Sequence, residues 1–123
     1  MPKTEAALKE VEQAREPAET ARMARRVLSL TAGEIALATG ADQRTVRRWW
    51  HDSSSPKRYR RQLDDLRAVA EILSVTMGGE AIGSWLRARN RYLGYERPLD
   101  ALGREEFEKV REAAFAFVEG VNL

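Results

Sequence analysis

Gln43, Arg44, Arg47 and Arg48 fall within the run QRTVRR, directly behind Asp42. An Arg guanidinium holds O6 and N7 of guanine together, and a Gln amide matches N6 and N7 of adenine. On a helix capped by Asp42, Val46 and Trp49 take the inner side. The four polar side chains are then left on the N-terminal and outward surface. In helix-turn-helix proteins that surface enters the major groove. Gln43, Arg44 and Arg48 are therefore the candidate base readers, and Thr45 and Arg47 are placed for the DNA backbone. Thr31 precedes the neighbouring helix, where it can join that helix's free amides around a phosphate. Lys57, Arg58, Arg60 and Arg61 follow the next loop and offer further phosphate contacts. A plainer alternative is scaffold, because two helices joined by a Gly-containing turn also occur without nucleic acid.

Charge supports the DNA reading by position. The net charge is only +2, but residues 21–62 carry ten Lys/Arg against three Asp/Glu. The other blocks are neutral or acidic, so the basic footprint coincides with the motif that needs it. Other chemistry finds little support. With no Cys, thiolate catalysis and Cys-based zinc sites are excluded, and the composition suits a reducing cytoplasm. His51 is the single His and lacks a second ligand for a His-pair metal site; its place suits a helix C-terminus. Asp64 and Asp65 point about 100° apart on a helix and do not converge. No phosphate-cradling loop or dinucleotide fingerprint is present, so no enzyme activity, cofactor or metal is expected. No apolar run is long enough to span a bilayer.

The elements that position these groups read as helical throughout, so the expected class is all-α. Residues 31–51 form the helix-turn-helix. Thr31 and Glu34 make a T-x-x-E capping box, Gly40 permits the left-handed turn, and Asp42 caps the second helix. Upstream, the polar residues 1–16 read as a flexible arm or frayed helix, with Leu8 and Val11 too sparse to bury much. Pro17 opens a helix with Ala21, Ala24, Val27 and Leu28 at helical spacing. After His51, Ser55 can cap and Pro56 can open the next helix. Leu63, Leu66, Val69, Ala70, Leu73 and Met77 continue it from Tyr59 to a stop at Gly78-Gly79. Residues 17–78 thus make a DNA-binding region with a long connecting helix, and residues 79–123 a second region. That region holds a short helix around Trp85 and a Gly/Pro connector over 90–98. A last amphipathic helix through Phe107, Val110, Ala114, Phe117 and Val118 is ended by Gly120. Trp49 belongs to the core, and Trp50 must point elsewhere, toward phosphate or an interface.

The second region carries a resemblance. Trp85, Asn90, Leu93-Gly94, Pro98, Asp100, Leu102, Val110 and Gly120-Val121 follow one another as in Xre/MbcA/ParS-type antitoxins of RES–Xre systems. The chain resembles that family over residues 28–123. It departs at Arg89, where the family has Pro, at Ala101, and at Gly103, which comes early. The resemblance implies an Xre-like helix-turn-helix followed by a small helical toxin-binding domain. It further implies an antitoxin that neutralises a RES-type, NAD-consuming toxin through its C-terminal region and represses its own operon on operator DNA. By the same resemblance Glu119, Gly120, Val121, Asn122 and Leu123 block the toxin's pocket. Arg91, Gly94, Arg97 and Pro98 are further candidates for that interface. Read alone, Val121 and Leu123 leave another option open, that of folding back to close the core. Helix-turn-helix readers usually act as two-fold dimers, so a homodimer within a larger toxin–antitoxin assembly is expected. The alternative is a stand-alone regulator whose second half dimerises or senses.

Overall fold

A computed structural model describes residues 3–52 and 57–121, and every regular element among them is helical. The helices are α1 (Lys3–Gln13), α2 (Pro17–Arg26), α3 (Ala32–Thr39), α4 (Gln43–His51), α5 (Arg60–Leu73), α6 (Gly79–Arg87), α7 (Pro98–Gly103) and α8 (Phe107–Val121). Single 3₁₀ turns at Lys57–Tyr59 and Arg91–Leu93 complete the order. One hydrophobic cluster runs through both regions, from Val11 of α1 to Ala114 of α8. Its centre is α5, whose Leu63, Leu66, Val69, Ala70 and Leu73 are buried at the predicted spacing. α2 and α3 pack on one side of α5 and α8 on another, while α7 lies along α3.

Five readings of the sequence are corrected. Residues 1–16 hold the helix α1 rather than an arm. Its stripe of Ala7 and Val11, continued by Ala14, is buried, whereas Leu8 is only half-buried. Small side chains at i, i+4 and i+7 make a narrow but continuous apolar face. Second, α5 stops at Leu73 instead of running to Gly78. Ser74 Oγ donates to the Glu71 carbonyl at 2.7 Å, and the Thr76 and Met77 amides both return to Leu73 O. A hydroxyl that takes a local carbonyl in this way competes with helix continuation. Third, Gly79 is the first residue of α6 rather than only a stop. A Cβ there would lie 2.2 Å from the Val27 carbonyl oxygen, and one at Gly83 would lie 2.0 Å from that of Leu28. The two glycines, one turn apart, let α6 sit directly on backbone. Fourth, α8 runs through Gly120 to Val121, so Gly120 does not end it. The connector is also shorter than it reads, because Pro98 opens α7. The Ser55–Pro56 cap lies outside the described residues.

Candidate nucleic-acid and partner interface

The local signals around α3 and α4 form as the sequence predicts. Thr31 Oγ1 accepts from the Glu34 amide at 3.1 Å, and Glu34 Oε1 accepts from the Thr31 amide at 2.9 Å. Gly40 adopts φ +79°, where only glycine sits without steric cost. Asp42 Oδ1 accepts from the Thr45 amide at 2.8 Å. That hydrogen bond holds the Asp42 carboxyl below its ordinary pKa, helped by Arg48 and Arg44. Val46 and Trp49 are buried. The ring of Trp49 meets Tyr59 at 5.3 Å between centroids.

α4 packs against α3 and α2, and its other side is open. Gln43, Arg44, Arg47, Arg48 and His51 are all exposed there, with Thr45 half-buried. Gln43 Oε1 accepts from Arg47 Nη2 at 3.2 Å, so these two are mutually oriented in the free protein. Thr31 is exposed at the start of α3. Lys57, Arg58, Arg60 and Arg61 are exposed on the turn and first residues of α5, tied to α4 by the Tyr59–Trp49 contact. The structure therefore brings the DNA-reading candidates to the surface around α4. Trp50 differs from its expected role. Its Nε1 donates to the Ala21 carbonyl at 3.2 Å and Arg25 lies 4.3 Å over its ring, so α2 engages both edge and face.

One long-range contact has no signal in the sequence. Arg87 of α6 grips Glu34 through Nε at 2.8 Å and Nη2 at 3.2 Å, and Nη2 also donates to the Ser29 carbonyl at 3.0 Å. A single carboxylate thus caps α3 and fastens it to α6. The Arg87 guanidinium holds the Glu34 carboxyl below the usual range.

The residues that the resemblance assigns to the partner are scattered in accessibility. Arg91 and Gly94 are exposed, and Gly94 turns the chain at φ +63°. Arg97 is half-buried and forks onto Asp100 at 2.8 and 3.0 Å. Pro98 is buried as the first residue of α7 and offers no surface. Glu119 and Gly120 are exposed on the last turn of α8, which Val121 closes. Asn122 and Leu123 lie outside the described residues. Beside this set is a group that the sequence reading missed. Tyr92 is 73% and Phe117 39% exposed, with Phe117 edge-on to Trp85 at 6.5 Å. Their signal was faint, an aromatic in a connector and one more apolar residue in an amphipathic helix. Among the described residues no cluster of His, Asp or Glu could hold a metal ion, and no helix is long and apolar enough to cross a membrane.

Comparison with known proteins fits this arrangement. No family model matches the chain. It is 35% identical over 94 residues to the probable mycobacterial cidal antitoxin Rv3188 of Mycobacterium tuberculosis, covering 76% of this chain and 81% of that protein. To the mycobacterial cidal antitoxin MbcA of Mycobacterium bovis it is 30% identical over 95 residues, covering 76% of this chain and 84% of MbcA. A chain in the crystal structure of the M. tuberculosis MbcT–MbcA toxin–antitoxin complex matches with a TM-score of 0.68 at 30% identity. That match covers 85% of this chain and 95% of the other.

Proposed function

This chain belongs to the MbcA-type antitoxins, and on that premise we propose that it neutralises a toxin through its C-terminal half and represses its own operon through α3 and α4. The toxin in this reading is RES-type and NAD-consuming, and the antitoxin performs no chemistry itself. Both act in the cytoplasm. The observation that supports the DNA arm is the open side of α4. Its inner side is fixed by Val46 and Trp49, while Gln43, Arg44, Arg47 and Arg48 stand uncovered.

In this reading α4 enters the major groove. Gln43, Arg44 and Arg48 meet base edges, and Thr45 and Arg47 meet the backbone. Thr31 and the cluster Lys57, Arg58, Arg60 and Arg61 hold flanking phosphates. A homodimer supplies a second α4, about 34 Å or one helical turn along double-stranded DNA. At the other end, residues 119–123 enter the toxin's pocket, and the homodimer is part of a larger toxin–antitoxin assembly.

The test is operator binding in a salt titration. Log affinity should fall with log salt at a slope of about 0.9 per neutralised phosphate. Arg44→Ala and Arg48→Ala should each weaken specific binding by about 1–3 kcal/mol while leaving non-specific binding nearly intact. Unchanged operator affinity in both variants refutes the DNA assignment. For the toxin arm, co-expression of the full chain with its toxin should restore growth. A chain ending at Glu119 should fail to do so while still binding operator.

A further inference from the structure

The turn Arg91–Leu93 packs on α8 beside α6, and between them runs an open groove. Trp85, Ala113, Ala116 and Phe117 line it with Tyr92, Arg89 and Arg91. On α8, Ala113, Ala116, Phe117 and Gly120 repeat at i, i+3, i+4 and i+7, which sets them along one stripe. The stripe that lines the groove up to Phe117 is thus continued by Gly120, on the last turn of α8, where the residues proposed to enter the toxin begin. Charge says what the groove accepts. In residues 79–121, Arg87, Arg97, Arg104, Lys109 and Arg111 each pair with a carboxylate. Arg89 donates only to the Tyr95 carbonyl, at 3.2 Å, and Arg91 has no ion pair among the described residues. Among the described residues, the two cations of this region without an ion pair are thus two that line its aromatic groove.

We infer that this groove is the anchoring surface for the toxin and receives a toxin segment that presents an apolar side chain flanked by carboxylates. The inference rests on the antitoxin reading above and adds a division of labour. Affinity resides in the groove, and inhibition in the residues beyond it. Partly exposed aromatics and Arg on a concave apolar floor are the groups that dominate binding energy at protein interfaces.

The experiment measures binding of the full chain to its cognate toxin, by titration calorimetry, together with toxin inhibition. Tyr92→Ala and the double reversal Arg89→Glu, Arg91→Glu should each raise Kd by roughly thirtyfold or more. All three positions are exposed, so the variants keep the wild-type Tm and operator affinity. The chain ending at Glu119 should keep its Kd within a few-fold and lose inhibition. Phe117→Ala serves as a second groove variant with the same expectation for Kd. Unchanged Kd in the groove variants, or a loss confined to the truncated chain, overturns the groove assignment while leaving the antitoxin reading intact. So does a groove variant that loses self-association and keeps toxin binding, because the groove then seats a second copy. Failure of the wild-type chain to bind toxin overturns the toxin reading itself, and the groove with it.

Discussion

Two glycine-to-alanine substitutions of opposite sign test the seat of α6 and the course of α8. Alanine is favoured over glycine inside a helix by about 0.8–1 kcal/mol, so on propensity alone both changes stabilise. At Gly83 the added Cβ would lie 2.0 Å from the Leu28 carbonyl oxygen, a backbone atom held by the core. Relief requires α6 to lift from residues 27–28, and overpacking of this kind costs typically 1–3 kcal/mol or more. The shift must also strain the Arg87–Glu34 pair on the same helix. A net loss of about 2 kcal/mol is expected for Gly83→Ala, and a chain of this size should then melt roughly 8 °C lower. At Gly120 an added Cβ would meet no other atom of the described residues within 4 Å beyond its own helix backbone, and φ is not positive, so Gly120→Ala should keep the propensity gain. Its position near the helix end limits that gain to about 0.5 kcal/mol, or roughly 2 °C. Thermal melts by circular dichroism at 222 nm read both. A stabilised Gly83→Ala refutes the close seat of α6. A destabilised Gly120→Ala refutes the helical course and restores Gly120 as a left-handed terminator.

Two further predictions concern charge. Glu34→Gln preserves the acceptor for the Thr31 amide but removes the charge that Arg87 grips. Solvent screening of this half-exposed pair limits the expected loss at pH 7 to about 1 kcal/mol. Because the folded pKa lies below the ordinary 4.5, the contribution is present above that value and fades as pH falls through the folded pKa. Urea melts of the two proteins should therefore draw together as pH falls below 4.5, and a pH-independent gap counts against the ion pair. Asp65 behaves oppositely, since burial pushes its carboxyl above the ordinary 3.8 despite Arg61 nearby. Its ionised form opposes folding once pH exceeds that value. Asp65→Asn should raise the midpoint of urea unfolding at pH 7 and leave it unchanged at pH 3; equal effects at both would sink the desolvation argument.

Signals that act over a few residues were legible in the sequence. The Thr31–Glu34 box, the Gly40 turn, the Asp42 cap and the burial of Val46 and Trp49 each depend on positions within one or two turns. The helical spacing of core residues in α5 was legible for the same reason, though its end was not. There the pattern continued to Met77, while the Ser74 hydroxyl had already diverted the backbone. What stayed hidden depends on distant partners. Ala7 and Val11 look too weak to anchor a helix until α2, α5 and α6 enclose them. Gly79 reads as punctuation and Gly83 carries no local signal, because the carbonyls they accommodate are some fifty residues upstream. The same holds for Glu34, whose capping role was visible and whose grip on Arg87 was not.

These hidden contacts converge on α6 and decide which substitutions are informative. Within nine residues α6 carries the glycine seat on Val27 and Leu28, the Arg87 clasp on the first turn of α3, and Trp85 at the edge of the aromatic groove. A change at Trp85 or Arg87 therefore disturbs the seat of α6 on α3 and the groove together, and a loss of both proposed activities there would assign nothing. Tyr92, Arg89 and Arg91 lie beyond the C-terminal end of α6 and are exposed. Arg44 and Arg48 lie on the open side of α4, away from α6. Losses confined to toxin at the first set and to operator at the second would separate two surfaces on one continuous core. Loss of both activities from either set would instead require that the two partners share a surface, which the separation of α4 from the groove does not provide.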